Sequence, residues 1–355
     1  MQRHQTKTVQ VGNISIGGKS PITIQSMTTT KTKHAEDTIQ QIIELENAGC
    51  EIVRVAVPDM ESAQAIAEIK RNIHIPLVAD IHFDYRLALK CMENGIDKIR
   101  INPGNIGDAQ RVGEVARMAK ERHIPIRIGV NSGSLEKDIL EHYQTPCAEA
   151  VVESAARHIQ LLRENDFDDI VVSLKTSNVQ ETIDSYRLFA QRFPYPLHIG
   201  ITESGTISSG VVKSSVGIAI LLYLGLGDTL RVSLTGNPIH EVYTAKRILQ
   251  SLGIRKSGAE IISCPTCGRC NVDLEPIALA VEDALQQVSQ PLKVAVMGCA
   301  VNGPGEARDA DFGVACGNGV GLLFSKGTVL KKVPEMEIVP ALLSMIQQAQ
   351  KENNM

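Results

Sequence analysis

Four of the chain's eight cysteines fall within the forty-three residues from Cys264 to Glu306. The stretch opens with Cys264-Pro265-Thr266-Cys267 and closes with Cys299-Ala300-Val301-Asn302-Gly303-Pro304-Gly305-Glu306, so thiols stand in proline- and glycine-rich turns able to fold around a soft metal. A C-x2-C pair lets both sulfurs point to one side of a tight turn and chelate one zinc or one iron–sulfur cluster. Cys299 would arrive from a second, distant turn. Two residues compete for the fourth position. Cys270 would close the site with thiolate, as in structural zinc or an electron-transfer cluster, whereas Glu306 would give one metal a hard oxygen donor that a substrate oxygen can displace. Spacing weakly disfavours Cys270: a ferredoxin run needs a cysteine where Leu274 stands, and zinc patterns need a second ligand pair, whereas Cys299 stands alone.

A second concentration of chemistry is cationic. Arg54, Arg100, Arg127 and Arg231 each sit between β-branched or leucine neighbours, and Lys175 follows another such run. Cations so placed are costly in a packed core unless they are paired or face a ligand. Asp80, His82, Asp84, Asn102, Asn131, Ser173, Glu203 and Ser233 occupy comparable positions. Asp80, Glu203 and other acids can pair with some of the cations, and the surplus calls for an anion. The planar guanidinium fork suits phosphate, so the pattern points to a substrate with more than one phosphate. Other readings are arginines locked in salt bridges, a Schiff-base Lys175 assisted by Glu203, and a hard-metal site on Asp80-x-His82-x-Asp84.

The elements that must position these groups repeat with a simple rhythm. Short apolar runs at 21–27, 52–57, 77–81, 98–102, 126–130, 170–174, 197–201 and 230–234 alternate with amphipathic helical stretches such as 35–48, 60–71, 148–165 and 239–252. Eight β/α units predict a TIM barrel rather than an open doubly wound sheet, and the strand ends named above then form its catalytic face. No G-x-G-x-x-G follows the first strand, which argues against a dinucleotide site. The rhythm stops near 255. Strands at 259–263, 292–297, 312–315 and 321–324, with helices at 276–288 and 339–352, predict a smaller α+β domain. The division is a substrate-binding barrel over 1–255 and a metal domain over 256–355. Gly317-Asn318-Gly319-Val320-Gly321 reads as a hairpin turn. The short linker raises the expectation that a second subunit closes the barrel mouth.

Composition bounds the partners. The 355 residues carry 36 basic and 40 acidic side chains, a formal charge of −4, which points to neither nucleic acid nor an anionic membrane. Residues 1–12 lack the apolar run of a signal peptide, and the most apolar stretch, 216–227, is too short to span a bilayer, so a soluble cytoplasmic protein is expected. In that reducing compartment irregularly spaced cysteines favour metal or catalytic use over disulfides. Cys50, Cys91, Cys147 and Cys316 read as small buried hydrophobes.

The motifs together carry a resemblance. V-A-D-I-H-F-D-Y-R at 78–86, R-I-N-P-G-N-I-G at 100–107, I-R-I-G-V-N-S-G-S-L at 126–135, G-I-T-E at 200–203, C-P-T-C at 264–267 and G-C-x-V-N-G-P-G-E at 298–306 closely resemble the 4-hydroxy-3-methylbut-2-enyl diphosphate synthase family over nearly the whole chain. That resemblance implies the two-domain bacterial form of a non-mevalonate isoprenoid enzyme, which reductively opens and dehydrates 2-C-methyl-D-erythritol 2,4-cyclodiphosphate. It implies a 4Fe-4S cluster on Cys264, Cys267, Cys299 and Glu306, with Cys270 a bystander. It further implies that Arg54, Arg100, Arg127, Asn131, Lys175 and Ser233 bind the cyclic diphosphate, with Arg231 nearby, and that Glu203 acts as acid or base. Reduced flavodoxin or ferredoxin would supply electrons, and a homodimer would place the cluster domain of one subunit over the barrel of the other. Ser204 departs from the alanine common at that position, and Cys270 is not a fixed feature of the family.

Overall fold

The computed structural model describes residues 3–102, 106, 109–256, 258–286, 288, 290–299 and 307–353. The chain folds as two compact units, Met1–Leu252 and Gly253–Met355.

The first unit begins with a hairpin of β1 (Thr8–Val11) and β2 (Ile14–Gly17), whose Val11 and Ile16 pack on Ile52 and Val78. There follow β3 (Thr23–Met27), α1 (Ala35–Ala48), β4 (Ile52–Val57), α2 (Met60–Arg71), β5 (Leu77–Ile81), α3 (Tyr85–Glu93) and β6 (Lys98–Ile101). Next come α4 (Ala109–Glu121), β7 (Ile126–Asn131), α5 (Lys137–Tyr143), α6 (Ala148–Glu164), β8 (Ile170–Lys175) and α7 (Val179–Arg192). The unit ends with β9 (His198–Ile199), α8 (Ile207–Tyr223), β10 (Thr229–Leu230) and α9 (Ile239–Ser251). Strands β3 to β10 form one eight-stranded parallel sheet in the order β8-β7-β6-β5-β4-β3-β10-β9, and a parallel bridge between Val172 and Leu197 joins its two ends. This is the expected TIM barrel.

Strand alternation explains how so short a set of strands holds both a core and a site. Ile99, Ile101, Ile126, Ile128, Val172 and Leu174 point outward into the main hydrophobic cluster beneath the helices. The residues between them, Lys98, Arg100, Arg127, Ser173 and Lys175, face inward. Helices start on local caps: Asp59 accepts from the Ser62 amide at 2.8 Å and Asn178 from the Glu181 amide at 3.1 Å.

Several expected boundaries move. The seventh and eighth barrel strands run for two residues each instead of five, because the ladder ends while the chain stays extended: the Arg231 amide still donates to Ile199 O at 3.0 Å. The first strand starts at Thr23, two residues late, and the hairpin before it is not among the expected elements.

The second unit is a five-stranded sheet in the order β11-β12-β13-β14-β15, made of β11 (Ala259–Ser263), β12 (Leu292–Met297), β13 (Phe312–Gly317), β14 (Val320–Ser325) and β15 (Thr328–Pro334). The first three run parallel, and Asn318-Gly319 turns β13 into β14 as a hairpin. Helices α10 (Leu274–Leu285) and α11 (Ile338–Asn353) cover one face, with Ile277, Val281, Leu342 and Ile346 packed on Val294, Val296 and Leu323. Helix α10 begins two residues before its expected start, with Pro276 inside the first turn, where a missing amide costs nothing. Strand β15 is absent from the expected set.

Candidate active site

Adjacent strands bring three charged groups of the barrel to one level: Asp80 on β5 is the register partner of Arg100 on β6, and Arg100 that of Arg127 on β7. Asp80 is the hub. Its Oδ1 accepts from Arg100 Nη1 at 3.0 Å, and its Oδ2 lies 3.7 Å from Arg54 Nε. Burial by itself would raise the Asp80 pKa, but Arg54, the hydrogen bond from His82, Arg100 and Arg127 together hold it well below the carboxylate range. Asp84 instead caps α3 through the Arg86 amide at 3.0 Å and pairs with Arg86 at 2.8 Å. The two aspartates are thus engaged by arginines, against the hard-metal reading of this segment.

One carboxylate does not balance the cations around it. Arg127 is 1 % exposed, and its Nε and Nη2 have no acceptor among the described residues. Burial, then Arg54 and Arg100, push its pKa well below the arginine value. Arg54 is pushed down to about 10 by burial, against the pull of Asp80. Lys175, at the end of β8 and buried, is pushed well below the lysine value by burial, then by Arg127, Arg231 and Arg54. Asn131 is the register partner of Lys175 at the end of β7, and half-buried Ser233 follows β10. Such a set of desolvated donors is arranged to receive a polyanion.

Arg231 differs, because it is already paired. Its Nε and Nη2 donate to the two oxygens of Glu241 at 3.1 and 3.0 Å, and the same carboxylate accepts from Ser26 Oγ at 2.9 Å and the Leu234 amide at 3.1 Å. Sequence reasoning missed Glu241. Its signal was an acid on the face of α9 that also buries Ala245 and Ile248. Gly129 was missed as a site residue too. A Cβ there would overlap Arg100 Nε and stand 2.8 Å from Nη2, and Nη2 donates to Gly129 O at 3.3 Å. Gly129→Ala is therefore expected to displace the Arg100 guanidinium and weaken the binding of a polyanion, inorganic diphosphate being the probe, about tenfold with the fold retained. Calorimetric titration beside a thermal melt checks this, and unchanged affinity would remove the glycine from the site.

Glu203 lies in the loop after β9. It is exposed, and its φ of 52° is left-handed. A non-glycine residue held there signals local strain of the kind found at working sites.

In the second unit β11 and β12 are parallel neighbours, with Ser263 opposite Val296, so the turns after them leave the same edge of the sheet. Cys264 follows β11, and its Sγ accepts from the Gly298 amide at 3.2 Å. Cys264 is half-buried, Cys267 exposed and Cys299 buried. Three thiols on two adjoining turns, one already taking an amide hydrogen bond, fit a soft cluster. Cys270 donates to Val272 O at 3.3 Å. Glu306, with residues 300–305, lies outside the described residues, and among those that are described no group of three or more metal-binding side chains is assembled. Cys50, Cys91 and Cys316 are buried as expected, and Cys147 is partly exposed. No helix among the described residues is long and apolar enough to cross a membrane.

Comparison with known proteins follows the same division. The GcpE TIM-barrel domain model matches residues 6–246, and the GcpE protein C-terminal domain model matches 260–348. The chain is 57% identical over 346 residues to a 4-hydroxy-3-methylbut-2-en-1-yl diphosphate synthase (flavodoxin) of Clostridium acetobutylicum, covering 98% of this chain and 99% of that one. It is 56% identical to the synthase of the same name from Thermodesulfovibrio yellowstonii, with the same coverage. Among solved structures, dihydropteroate synthase from Stenotrophomonas maltophilia superposes with a TM-score of 0.51 at 11% identity, covering 70% of this chain and 98% of that one, a likeness of fold alone. Matched in both parts by its domain models and more than half identical to its synthases from end to end, the chain belongs to the GcpE family.

Proposed function

We propose that this protein converts 2-C-methyl-D-erythritol 2,4-cyclodiphosphate to 4-hydroxy-3-methylbut-2-enyl diphosphate and water, consuming two electrons and two protons. The observation that carries this reading is identity above one half, over nearly the full length of both chains, to synthases named for that product. The surplus of buried cations over carboxylates in the barrel supports it, since a cyclic diphosphate is the kind of anion such a set would bind.

In this proposal the barrel domain, 1–255, holds the substrate through Arg54, Arg100, Arg127, Asn131, Lys175, Arg231 and Ser233. The guanidiniums stabilise the diphosphate as the ring C–O bond breaks, because charge developing on its oxygens meets donors already fixed in place. Glu203 delivers a proton to the departing hydroxyl oxygen. The domain over 256–355 holds a 4Fe-4S cluster on Cys264, Cys267, Cys299 and Glu306. When bound, the cluster supplies electrons one at a time. Reduced flavodoxin is the donor suggested by the relatives' name, with ferredoxin the alternative. The enzyme is cytoplasmic and works as a homodimer in which the cluster domain of one subunit closes the barrel of the other.

Protein purified without oxygen is expected to contain iron and labile sulfide and to turn over the cyclodiphosphate with a strong reductant. Active protein carrying full zinc and no iron would overturn the proposal.

A further inference from the structure

Below the arginines stands a cationic residue that the proposed function leaves without a role. Lys98 opens β6 and shares its inward face with Arg100, while Ile99 and Ile101 point into the core. It is 0 % exposed, and Nζ has no hydrogen-bond partner among the described residues. His198 on β9 is equally buried, and neither ring nitrogen has a partner among the same residues.

The charges that face Lys98 come from several strands. Arg127 on β7 and Arg54 on β4 repel an ammonium there, and Asp97, the preceding residue, attracts it. Lys98 in turn acts on His198. Asp97 is already engaged by Lys70 Nζ at 2.6 Å and the Leu77 amide at 2.7 Å. Asp80, one level up, is held by Arg100, Arg54 and His82. Among the described residues, a charge at Lys98 therefore meets neither bulk solvent nor an uncommitted carboxylate.

We propose that Lys98 is the proton-uptake residue of the anion site: in mildly alkaline solution it is mostly neutral in the free barrel, and an ammonium once a diphosphate occupies the arginines above it. This rests on the barrel mouth being the diphosphate site. Burial, then Arg127 and Arg54, bring the Lys98 pKa down from 10.5 to about 7. An anion placed among those same guanidiniums offsets their repulsion and restores the affinity for a proton, which solvent supplies. Between the free and bound pKa values binding takes up a proton, and Kd rises as much as about tenfold per pH unit.

The test is calorimetric titration of anaerobically prepared holoenzyme with inorganic diphosphate at pH 8, in buffers of differing ionisation enthalpy, which counts the protons taken up. Lys175 and the ligand itself titrate in every protein compared, so a difference between them isolates Lys98. Wild type is expected to take up at least about half a proton more per diphosphate than Lys98→Met, which has nothing to titrate, or Lys98→Arg, which keeps its proton. Equal uptake by wild type and whichever variant folds, with diphosphate bound in both, would overturn the proposal and leave the proposed function standing. Failure of wild type to bind diphosphate would overturn the assignment of the barrel mouth, and this proposal with it.

Discussion

Asp80→Asn is expected to lower the stability of the barrel by about 3–5 kcal/mol at pH 7 and to weaken diphosphate binding at least tenfold. The size follows from what the carboxylate faces. Arg100 Nη1 donates to it at 3.0 Å, Arg54 Nε lies 3.7 Å away, and the side chains are 10 %, 7 % and 11 % exposed for Asp80, Arg100 and Arg54. The amide would take from two buried guanidiniums and the neighbouring Arg127 the carboxylate that faces all three, and breaking a buried pair from one side is far worse than never having built it. Binding suffers because the same bonds fix the directions in which Arg54 and Arg100 point.

The pH dependence has a definite sign. The Asp80 pKa is depressed in the fold, so its stabilisation is present above the unfolded value of about 4 and is lost as pH falls below it. Wild type should therefore lose stability on acidification below about pH 4, and the variant should lack that component. Urea melts at pH 7 and through the acid range measure both, and a loss at pH 7 under about 1 kcal/mol would show that Asp80 is not the hub. Diphosphate should raise the variant's melting temperature by supplying the missing negative charge.

The barrel was legible because its strands carry two signals at once. Outward Val, Ile and Leu announce a β/α repeat, and the polar residues between them announce an inward face that is not an ordinary core. Arg100 and Arg127 were found this way, since a strand arginine between two outward isoleucines must point into the barrel, where only a counter-charge or a ligand can satisfy it. The ends of the last two strands were not legible, because Arg231 to Ser233 keep the alternation of a strand after the ladder has stopped. The β1–β2 hairpin did carry a readable signal, the alternation V-Q-V-G-N-I-S-I, which the polarity of the surrounding terminus concealed. Strand β15 carried almost none, for five of its first residues are exposed and Lys331 and Lys332 mark it as a protected edge. Glu241 and Gly129 escaped for a different reason. Each acts through an arginine on another element, one by holding Arg231 and the other by making room for Arg100, and that relation exists only once the strands are side by side.

Co-expression of Arg127→Met with Cys264→Ala is expected to restore about a quarter of wild-type turnover, although each variant alone has none. The expectation follows from the proposed homodimer, in which a working site combines the barrel of one subunit with the cluster domain of the other. Random pairing makes about half of the dimers mixed, and a mixed dimer has one site with both lesions and one with neither, so about a quarter of all sites are intact. If each subunit worked with its own cluster domain, every site in every dimer would carry a lesion and activity would stay at the background of the single variants. The two substitutions suit the purpose. Arg127→Met removes a buried guanidinium whose Nε and Nη2 leave no stranded acceptor behind, and losing it relieves the repulsion between it and Arg54 and Arg100. Cys264→Ala removes a half-buried thiol and leaves the sheet pairing of β11 with β12 intact. Mixed dimers isolated through two different tags, and still inactive, would exclude closure by the second subunit and return the active site to a single chain.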